Sequence, residues 1–405
     1  MVEKLVPNIR FRGFDDEWKD TSLSDIATFS KGKGISKNDI YDEGIECVRY
    51  GELYTKYGEI IYDIYSKTNL DKTELVLSDN NDILIPCSGE TAIDLATASC
   101  IQKDQVAIGG DITIIKTNQY APFITYYLNQ KKNEIARFAQ GVSIVHLYPK
   151  DFKSLKLKIP SINEQKKIIF LLEEVTKKET LLEKKYHHYQ DFKKYLIQQI
   201  FTQKLRFDFN DEWKKYLLGD ISLIGKGFTP STGNPSFWDG ELKWLSIADM
   251  NQGKYINHTT KKITSEGSKN KEPIKKGTLL MSFKLSIGKL GILTEDMYTN
   301  EAICNFKWKN KDVLTEYMYY YLSSINILKY GSQAAKGITL NNETLSTIPV
   351  LLPSVEEQKK IINILSDVDL KINMLENSIY DTLKFKKGLL QQMFNNMLLL
   401  NSLNI

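Results

Sequence analysis

The chain has 405 residues, 42% hydrophobic, 26% charged and 11% aromatic, enough for two or three domains that each bury a core. A formal charge of +4 excludes a uniformly basic surface, so any polyanion-binding region must be local. Four scattered cysteines (Cys47, Cys87, Cys100, Cys304) form no CxxC pair and no metal-ligand spacing with histidine, and no apolar run approaches the ~18–20 residues that span a bilayer. The start, MVEKLVPNIRF, lacks an apolar core of signal-peptide length. These features predict a soluble cytoplasmic protein.

Residues 1–20 are polar and aromatic and read as a strap into a first domain. Short β-like runs follow at Glu46–Tyr50, Ile83–Pro86, Asp111–Lys116 and Leu155–Ile159, punctuated by Gly, Asn and Asp turns. The spacing predicts one helix over Pro122–Phe138. Pro160-Ser161 then stops the last strand and caps a helix, with Glu164 three residues on as a capping-box partner. The next ~40 residues lack Gly and Pro, which at 1.5 Å per residue predicts a rod of roughly 60 Å. A second domain repeats the order, with strand-like runs at Lys243–Ile247, Gly277–Phe283 and Gly288–Thr294 and a helix over Thr315–Leu328. Pro353-Ser354 and Glu357 open a second long helix.

The two long helices are one sequence written twice. Residues 159–201 align with 352–394 at a constant offset of 193 without a gap, and 20 of the 43 positions are identical. Chance would give roughly three. The segment leading into each domain also recurs, at offset 195: Phe14, Asp16-Glu17-Trp18-Lys19 and Lys31-Gly32 return as Phe209, Asp211-Glu212-Trp213-Lys214 and Lys226-Gly227. A sevenfold apolar series runs through both helices (Ile168, Val175, Leu182, Tyr189, Leu196; Ile361, Val368, Leu375, Thr382, Leu389). Leu171, Leu172, Phe192, Ile364, Leu365, Ile372, Ile379 and Phe385 widen the stripe. Helices this long need a packing partner, and the economical one is the other copy.

The expected fold is α+β: two homologous globular domains of mostly antiparallel sheet plus helices, joined by two long antiparallel coiled-coil helices with pseudo-twofold symmetry. The expected boundaries are 1–158 for the strap and first domain, 159–204 for the first long helix, 205–351 for the second domain and 352–405 for the second long helix.

No catalytic constellation is legible. Lys31-Gly32-Lys33-Gly34 and Gly225-Lys226-Gly227 have neither GxGxxG nor Walker spacing and read as turn glycines. Asn234-Pro235 continues into Ser-Phe, unlike an amino-methyltransferase loop. Glu164-Gln165-Lys166 and Glu357-Gln358-Lys359 mimic the end of a nuclease motif but sit at helix starts. The four histidines, His146, His187, His188 and His258, have no Ser, Cys or metal partner in sequence.

Aromatic and basic residues interleave at matching places in both domains, a pattern suited to nucleic acid. In the first domain the candidates are Lys31, Lys33, Lys37, Arg49, Tyr50, Tyr54 and Lys56, with Gln140, Ser143 and His146 on a later polar loop. In the second they are Lys226, Thr229, Ser231, Thr232, Asn234, Trp238 and Lys243, with Lys336 and Thr339 on the matching loop. Arg49 is the preferred candidate for a bidentate guanine contact, because it is an arginine in a lysine-biased chain.

At this point the chain resembles the specificity subunit of type I restriction–modification systems. The resemblance rests on the repeated IPSINEQKKI and LPSVEEQKKI helix openings, the DEWK entrances and TPSTGNPSFWDGELKWLSIADM at 229–250. The first domain departs from it, offering SKGKGISKNDIYDEGIECVRYGEL in place of the TPST…W motif. The resemblance implies two target-recognition domains, each reading one half of a bipartite double-stranded DNA sequence, with helix length as the ruler for the gap. It implies two modification subunits that use S-adenosylmethionine to methylate adenine N6, and two motor-nuclease restriction subunits that use ATP and Mg²⁺. It implies no cofactor or metal in this chain and no membrane partner. Phe170, Tyr186 and Met393 are candidates for the partner interface, or equally for packing on the coiled-coil flank. The reading from another class is a protein-binding scaffold. An enzyme, nuclease or methyltransferase, is disfavoured by the missing motifs.

Overall fold

The structure, a computed structural model, describes residues 9–141, 145–284, 286–334 and 337–394. The chain forms two compact units, one of Met1–Leu182 with Ser378–Ile405 and one of Glu183–Asn377. The division cuts through both long helices, Ile162–Phe201 and Val355–Phe394, which are each 40 residues long. Each unit thus holds one domain and a stretch of both rods.

In unit 1 a five-stranded sheet runs Ala27–Lys31, Ile112–Thr117, Asp82–Pro86, Ser99–Ile101, Ile60–Ile61, antiparallel except for the last pair. A four-stranded sheet runs Ala107–Ile108, Ile45–Val48, Ser66–Thr68, Ile40–Tyr41, with its first pair parallel. The predicted helix over Pro122–Phe138 is two shorter ones, Ala121–Gln130 and Lys132–Ala136. The entry strand Lys19–Ser22 and the exit strand Lys156–Ile159 zip together antiparallel.

Unit 2 repeats this topology. Its five-stranded sheet runs Ser222–Lys226, Ile303–Trp308, Leu279–Ser282, Leu290–Leu293, Tyr255–Ile256, again with a parallel last pair. Lys261–Ile263, Trp238–Leu245 and Tyr298–Thr299 form the smaller sheet. The entry strand Lys214–Leu217 pairs antiparallel with the exit strand Pro349–Leu352. The stretches between the repeated segments look unrelated in sequence, yet they fold alike.

Each core explains why the repeated residues recur. In unit 1 Ile168, Leu172 and Val175 of the first long helix share a core with Leu389, Met393 and Phe394 at the far end of the second. In unit 2 Leu196, Ile200 and Phe201 share a core with Ile361, Leu365 and Val368. Beginning meets end in both units, so the helices run antiparallel. Phe394 packs on Phe123 and Tyr127 at ring separations of 5.2 and 5.4 Å. Its counterpart Phe201 packs on Tyr317 and Tyr321 at 5.7 and 5.4 Å. The tryptophans of the DEWK segments, Trp18 and Trp213, are buried against Phe123 and Tyr317. Phe192 and Phe385 leave the predicted stripe: they are 46% and 56% exposed, on the outer face of their helices.

The helix starts keep half of the predicted capping box. Ser161 Oγ accepts from the Glu164 backbone N–H at 3.4 Å, and Ser354 Oγ from that of Glu357 at 3.3 Å. The glutamates do not reach back to the cap. Each side chain is 1% exposed and takes a two-point contact from an arginine in the strap that enters its domain. Arg10 donates through Nε and Nη2 to Glu164 at 2.7 and 2.9 Å, and Arg206 to Glu357 at 3.3 and 3.0 Å. A carboxylate removed from water needs a charged partner more than a free backbone amide does.

Candidate nucleic-acid interface

In domain 1 sequence candidates from separate segments meet around two glycines, Gly32, which sequence read as a turn glycine, and Gly109, which it did not single out. Gly32 approaches the Gly109 carbonyl so closely that a Cβ would lie 2.1 Å from its oxygen. Gly109 in turn lies against the Val48 carbonyl and the Arg49 backbone. Gly32, Gly34, Gly225 and Gly227 are therefore not turn glycines with positive φ. Gly32 and Gly227 are bare because another backbone passes beside them, the carbonyls of Thr299 and Asn300 taking the place of Gly109 in domain 2.

This approach places exposed Lys31 and Lys33 next to the start of the short helix Tyr50–Thr55, where Arg49 is the N-cap. Arg49 is drawn inward. Its backbone N–H donates to Glu52 Oε2 at 3.0 Å, and its Nη2 lies 3.9 Å from Oε1. Glu52 is 3% exposed and also takes bonds from Lys56 Nζ at 3.1 Å and from Ser66 Oγ. Arg49 and Lys56 thus balance a buried carboxylate, and a guanine contact by Arg49 would require its guanidinium to swing outward. Burial first, with Glu52 adding to it, pushes the neighbouring Cys47 thiol up to about 11.

Tyr50 is 39% exposed, and half-buried Tyr54 lies beside Gly89. The strand Ser88–Gly89 pairs with Val145–His146, and His146 Nδ1 lies 3.2 Å from Ser88 Oγ, with its ring stacked on Tyr148. Gln140 and His146, at the two ends of the predicted polar loop, exchange two backbone hydrogen bonds. Ser143 lies outside the described residues. Lys37 sits apart, in the turn Lys37–Asp39 that leads to Ile40–Tyr41.

In domain 2 the TPST…W segment supports its own display. Phe228, Trp238, Leu242, Trp244, Ile263 and Tyr298 form a small separate core. Trp238 meets Trp244 edge-on at 5.1 Å and donates its indole N–H to the Ser231 carbonyl at 3.1 Å. Asn234 accepts from the Ser236 backbone N–H at 3.1 Å and so caps the turn Pro235–Phe237. Thr229 is hydrogen-bonded to Glu301 and Asn300, and Lys243 is paired with Glu295. Three of the predicted contact residues therefore stabilise the loop, Thr229, Asn234 and Trp238, while Lys243 is tied instead to Glu295 and the Asn257 carbonyl. What they leave outward is Ser231, Thr232 and Gly233 at the loop and Lys226 at the strand end.

Lys261 and Lys271 were not singled out in sequence. Their ammonium groups lie over the Trp238 and Phe228 rings at 5.5 and 4.3 Å, adding positive charge to this surface. The matching loop pairs Ser332–Ala334 with Gly337–Thr339. Lys336 and the Thr339 side chain lie outside the described residues.

Of the partner-interface candidates, Phe170 is 65% exposed and Tyr186 is half-buried, lining a cleft of about 900 Å³ in unit 2. Met393 is corrected: at 2% exposure it belongs to the unit 1 core. Among the described residues no group of His, Cys, Asp and Glu could hold a metal ion, and no helix is long and apolar enough to cross a membrane.

Two copies of one α+β domain, each presenting a loop surface backed by glycine contacts or an aromatic cluster, define a two-module recognition protein on a helical frame. The model of the type I restriction modification DNA specificity domain matches residues 15–188 and again 210–384, and the chain belongs to that family. The MjaVIII specificity subunit of Methanocaldococcus jannaschii is 22% identical over 417 residues, covering 96% of this chain and 95% of that protein. The MjaIX specificity subunit of the same organism is 30% identical over 175 residues, covering 41% of this chain and 39% of its own length. The fold matches the crystal structure of a type I restriction–modification S subunit from M. genitalium with a TM-score of 0.62 at 15% identity, covering 97% of this chain and all of that one. A chain from a study of complex assembly and conformational transition in a type I system matches with a TM-score of 0.61 at 13% identity, over 95% of this chain and 99% of its own. Specificity subunits are the non-catalytic members of such enzymes, and this chain is one of that kind rather than an enzyme.

Proposed function

We propose that the chain reads a bipartite, gapped sequence in double-stranded DNA, one half-site per domain, with the long helices setting the gap. It acts in the cytoplasm within a complex of two modification subunits, which bring S-adenosylmethionine and methylate adenine N6, and two restriction subunits, which bring ATP and Mg²⁺. The observation that carries this reading is a single fold built twice with different outer side chains: Lys31, Lys33 and Tyr50 on one, Ser231, Thr232 and Lys261 on the other. Similar frames with unlike surfaces suit two unlike half-sites. Lysines would set the register on phosphates, while hydroxyl and aromatic side chains read base edges. The methyltransferase would flip its target adenine into its own pocket.

The long helices support the partner assignment. Phe170, Phe192, Tyr195, Tyr380 and Phe385 are between 46% and 65% exposed there. Solvated helices do not need so many outward aromatics, and the modification subunits are the partners we assign to them. The test is to replace residues 20–158 with another first domain. One half of the methylated motif should change and the other should stay. A change in both halves would contradict the division of labour. DNA affinity of the assembled complex should also fall steeply with salt, which a protein-binding scaffold would not show.

A further inference from the structure

Each domain joins its long helix through a short two-stranded ladder, Lys19–Ser22 with Lys156–Ile159 and Lys214–Leu217 with Pro349–Leu352, and through the apolar core that the two share. A ribbon of two strands is a twisting hinge and fixes no orientation by itself. A second set of contacts stands beside each hinge, on the first turn of the helix. Glu164 and Glu357 take the two-point arginine contacts described above. The next residues, Gln165 and Gln358, are both 0% exposed.

Gln165 accepts from the Tyr120 backbone N–H at 3.0 Å and donates to the Pro160 carbonyl and to Gln119 Oε1, each at 2.9 Å. Gln358 accepts from the Leu314 backbone N–H at 3.0 Å and donates to the carbonyls of Pro353 and Asp312 at 3.0 and 2.8 Å. Tyr120 and Leu314 are the N-caps of the helices Ala121–Gln130 and Thr315–Ser324, so the glutamine grips the same element in both domains. All but one of these bonds go to main chain. The grip is therefore indifferent to what the domain carries on its surface.

We propose that Arg10–Glu164 with Gln165, and Arg206–Glu357 with Gln358, are positioning residues that set the gap between half-sites by locking each domain's orientation on its helix. This rests on the bipartite reading above. The long helix supplies the coarse spacing. The lock adds directional polar contacts to this non-directional apolar packing, and a swing that moves the reading loops by about 3.4 Å would shift the readout by one base pair. The two-point arginine contact resists rotation where a single-point lysine would allow it.

The experiment is to express the full chain with its modification subunit in a methylation-free strain and to map methylated adenines at single-base resolution. Wild type should methylate one motif at one gap length. Glu357→Gln and, more mildly, Arg206→Lys should leave both half-sites intact while discrimination against gaps one base pair longer or shorter falls by about tenfold. The exchanged pair, Arg206→Glu with Glu357→Arg, should restore a single gap. A uniform loss of methylation with the gap distribution as sharp as in wild type would overturn the proposal and leave the pair a purely structural one. If Glu357→Gln is insoluble, Arg206→Lys decides: a sharp single gap there also overturns it. Absence of any bipartite motif in wild type would instead overturn the reading on which it rests.

Discussion

The domain helices of the two units meet the long helices through equivalent tyrosines, and the surroundings of those tyrosines differ in charge. In unit 1 Tyr126 faces Thr176 of the first long helix, with Glu59 close by. In unit 2 Tyr320 donates to Asp369 at 2.6 Å, and Lys254 stands where Glu59 does in unit 1. The equivalence of the last two is fixed by the backbone: Cys100 N–H donates to the Glu59 carbonyl and Ile292 N–H to that of Lys254, both at 2.8 Å. Lys254 Nζ reaches Ser366, Glu316 and Tyr320 Oη within 3.3 Å and sits 4.7 Å from the Tyr320 ring centre. Lys193 completes the network on Asp369. Unit 1 has Glu173 at the Ser366 position, bonded to Tyr62. A shared lock at the hinge is thus combined with opposite charge at the flank, so the two domains are alike in fold but unlike in what they require of the helices.

The largest expected effect tests the shared part. Phe201→Ala should lower the stability of unit 2 by about 3–5 kcal/mol, and Phe394→Ala that of unit 1 by a similar amount, each read by calorimetry. Equal losses would confirm that the aromatic seats are equivalent, and a loss in only one would break the equivalence.

The flanks should then separate the units. Asp369→Ala removes the carboxylate that pairs with Lys193 and accepts from the Tyr320 hydroxyl, and should cost about 2 kcal/mol. Thr176→Ala, at the same position of the other helix, should cost about 1 kcal/mol or less, measured by the same unfolding transitions.

Exchange of whole domains sharpens this further. The second domain placed on the unit 1 helices brings Lys254 beside Glu173 and should be accepted. The first domain placed on the unit 2 helices brings Glu59 towards Asp369 and should be less stable by about 1 kcal/mol. Equal stability of both exchanges would remove the charge argument.

The smallest effect lies at high pH. Burial first, then the neighbouring Glu316 or Glu173, pushes Tyr255 and Tyr62 up to about 12. A raised folded value means that their contribution is complete below the unfolded value near 10 and is lost as pH rises towards 12. Tyr255→Phe should remove part of the alkaline fall in unit 2 stability and leave that of unit 1 unchanged.

The frame of this molecule was legible because duplication makes sequence comment on itself. The 193-residue offset located both long helices nearly to the residue, and the heptad series picked out Ile168, Val175 and Leu389 of one core and Leu196, Ile361 and Val368 of the other. That the two domains share one fold was legible from the repeated order of strand-like runs and helix, but the strand pairing was not, since it rests on mostly short strands whose partners lie far apart in the chain. The surface was half legible. Aromatic and polar residues in the TPST…W segment were flagged together, but sequence could not separate Trp238 and Asn234, which build the loop, from Ser231 and Thr232, which it displays. Arginine scarcity pointed to Arg49, which is turned towards Glu52 here, and passed over Arg10 and Arg206, which pair with the buried glutamates Glu164 and Glu357. Glutamates at helix starts read as caps for the same reason, because burial of a side chain and the approach of a distant strap leave no local trace.

The most direct test of the central claim is a single-base methylome of a methylation-free strain expressing this chain with and without a cognate modification subunit. The account predicts adenine methylation at one bipartite motif with one fixed gap, present only when both proteins are made. An active modification subunit in a soluble complex that leaves no such motif would contradict it.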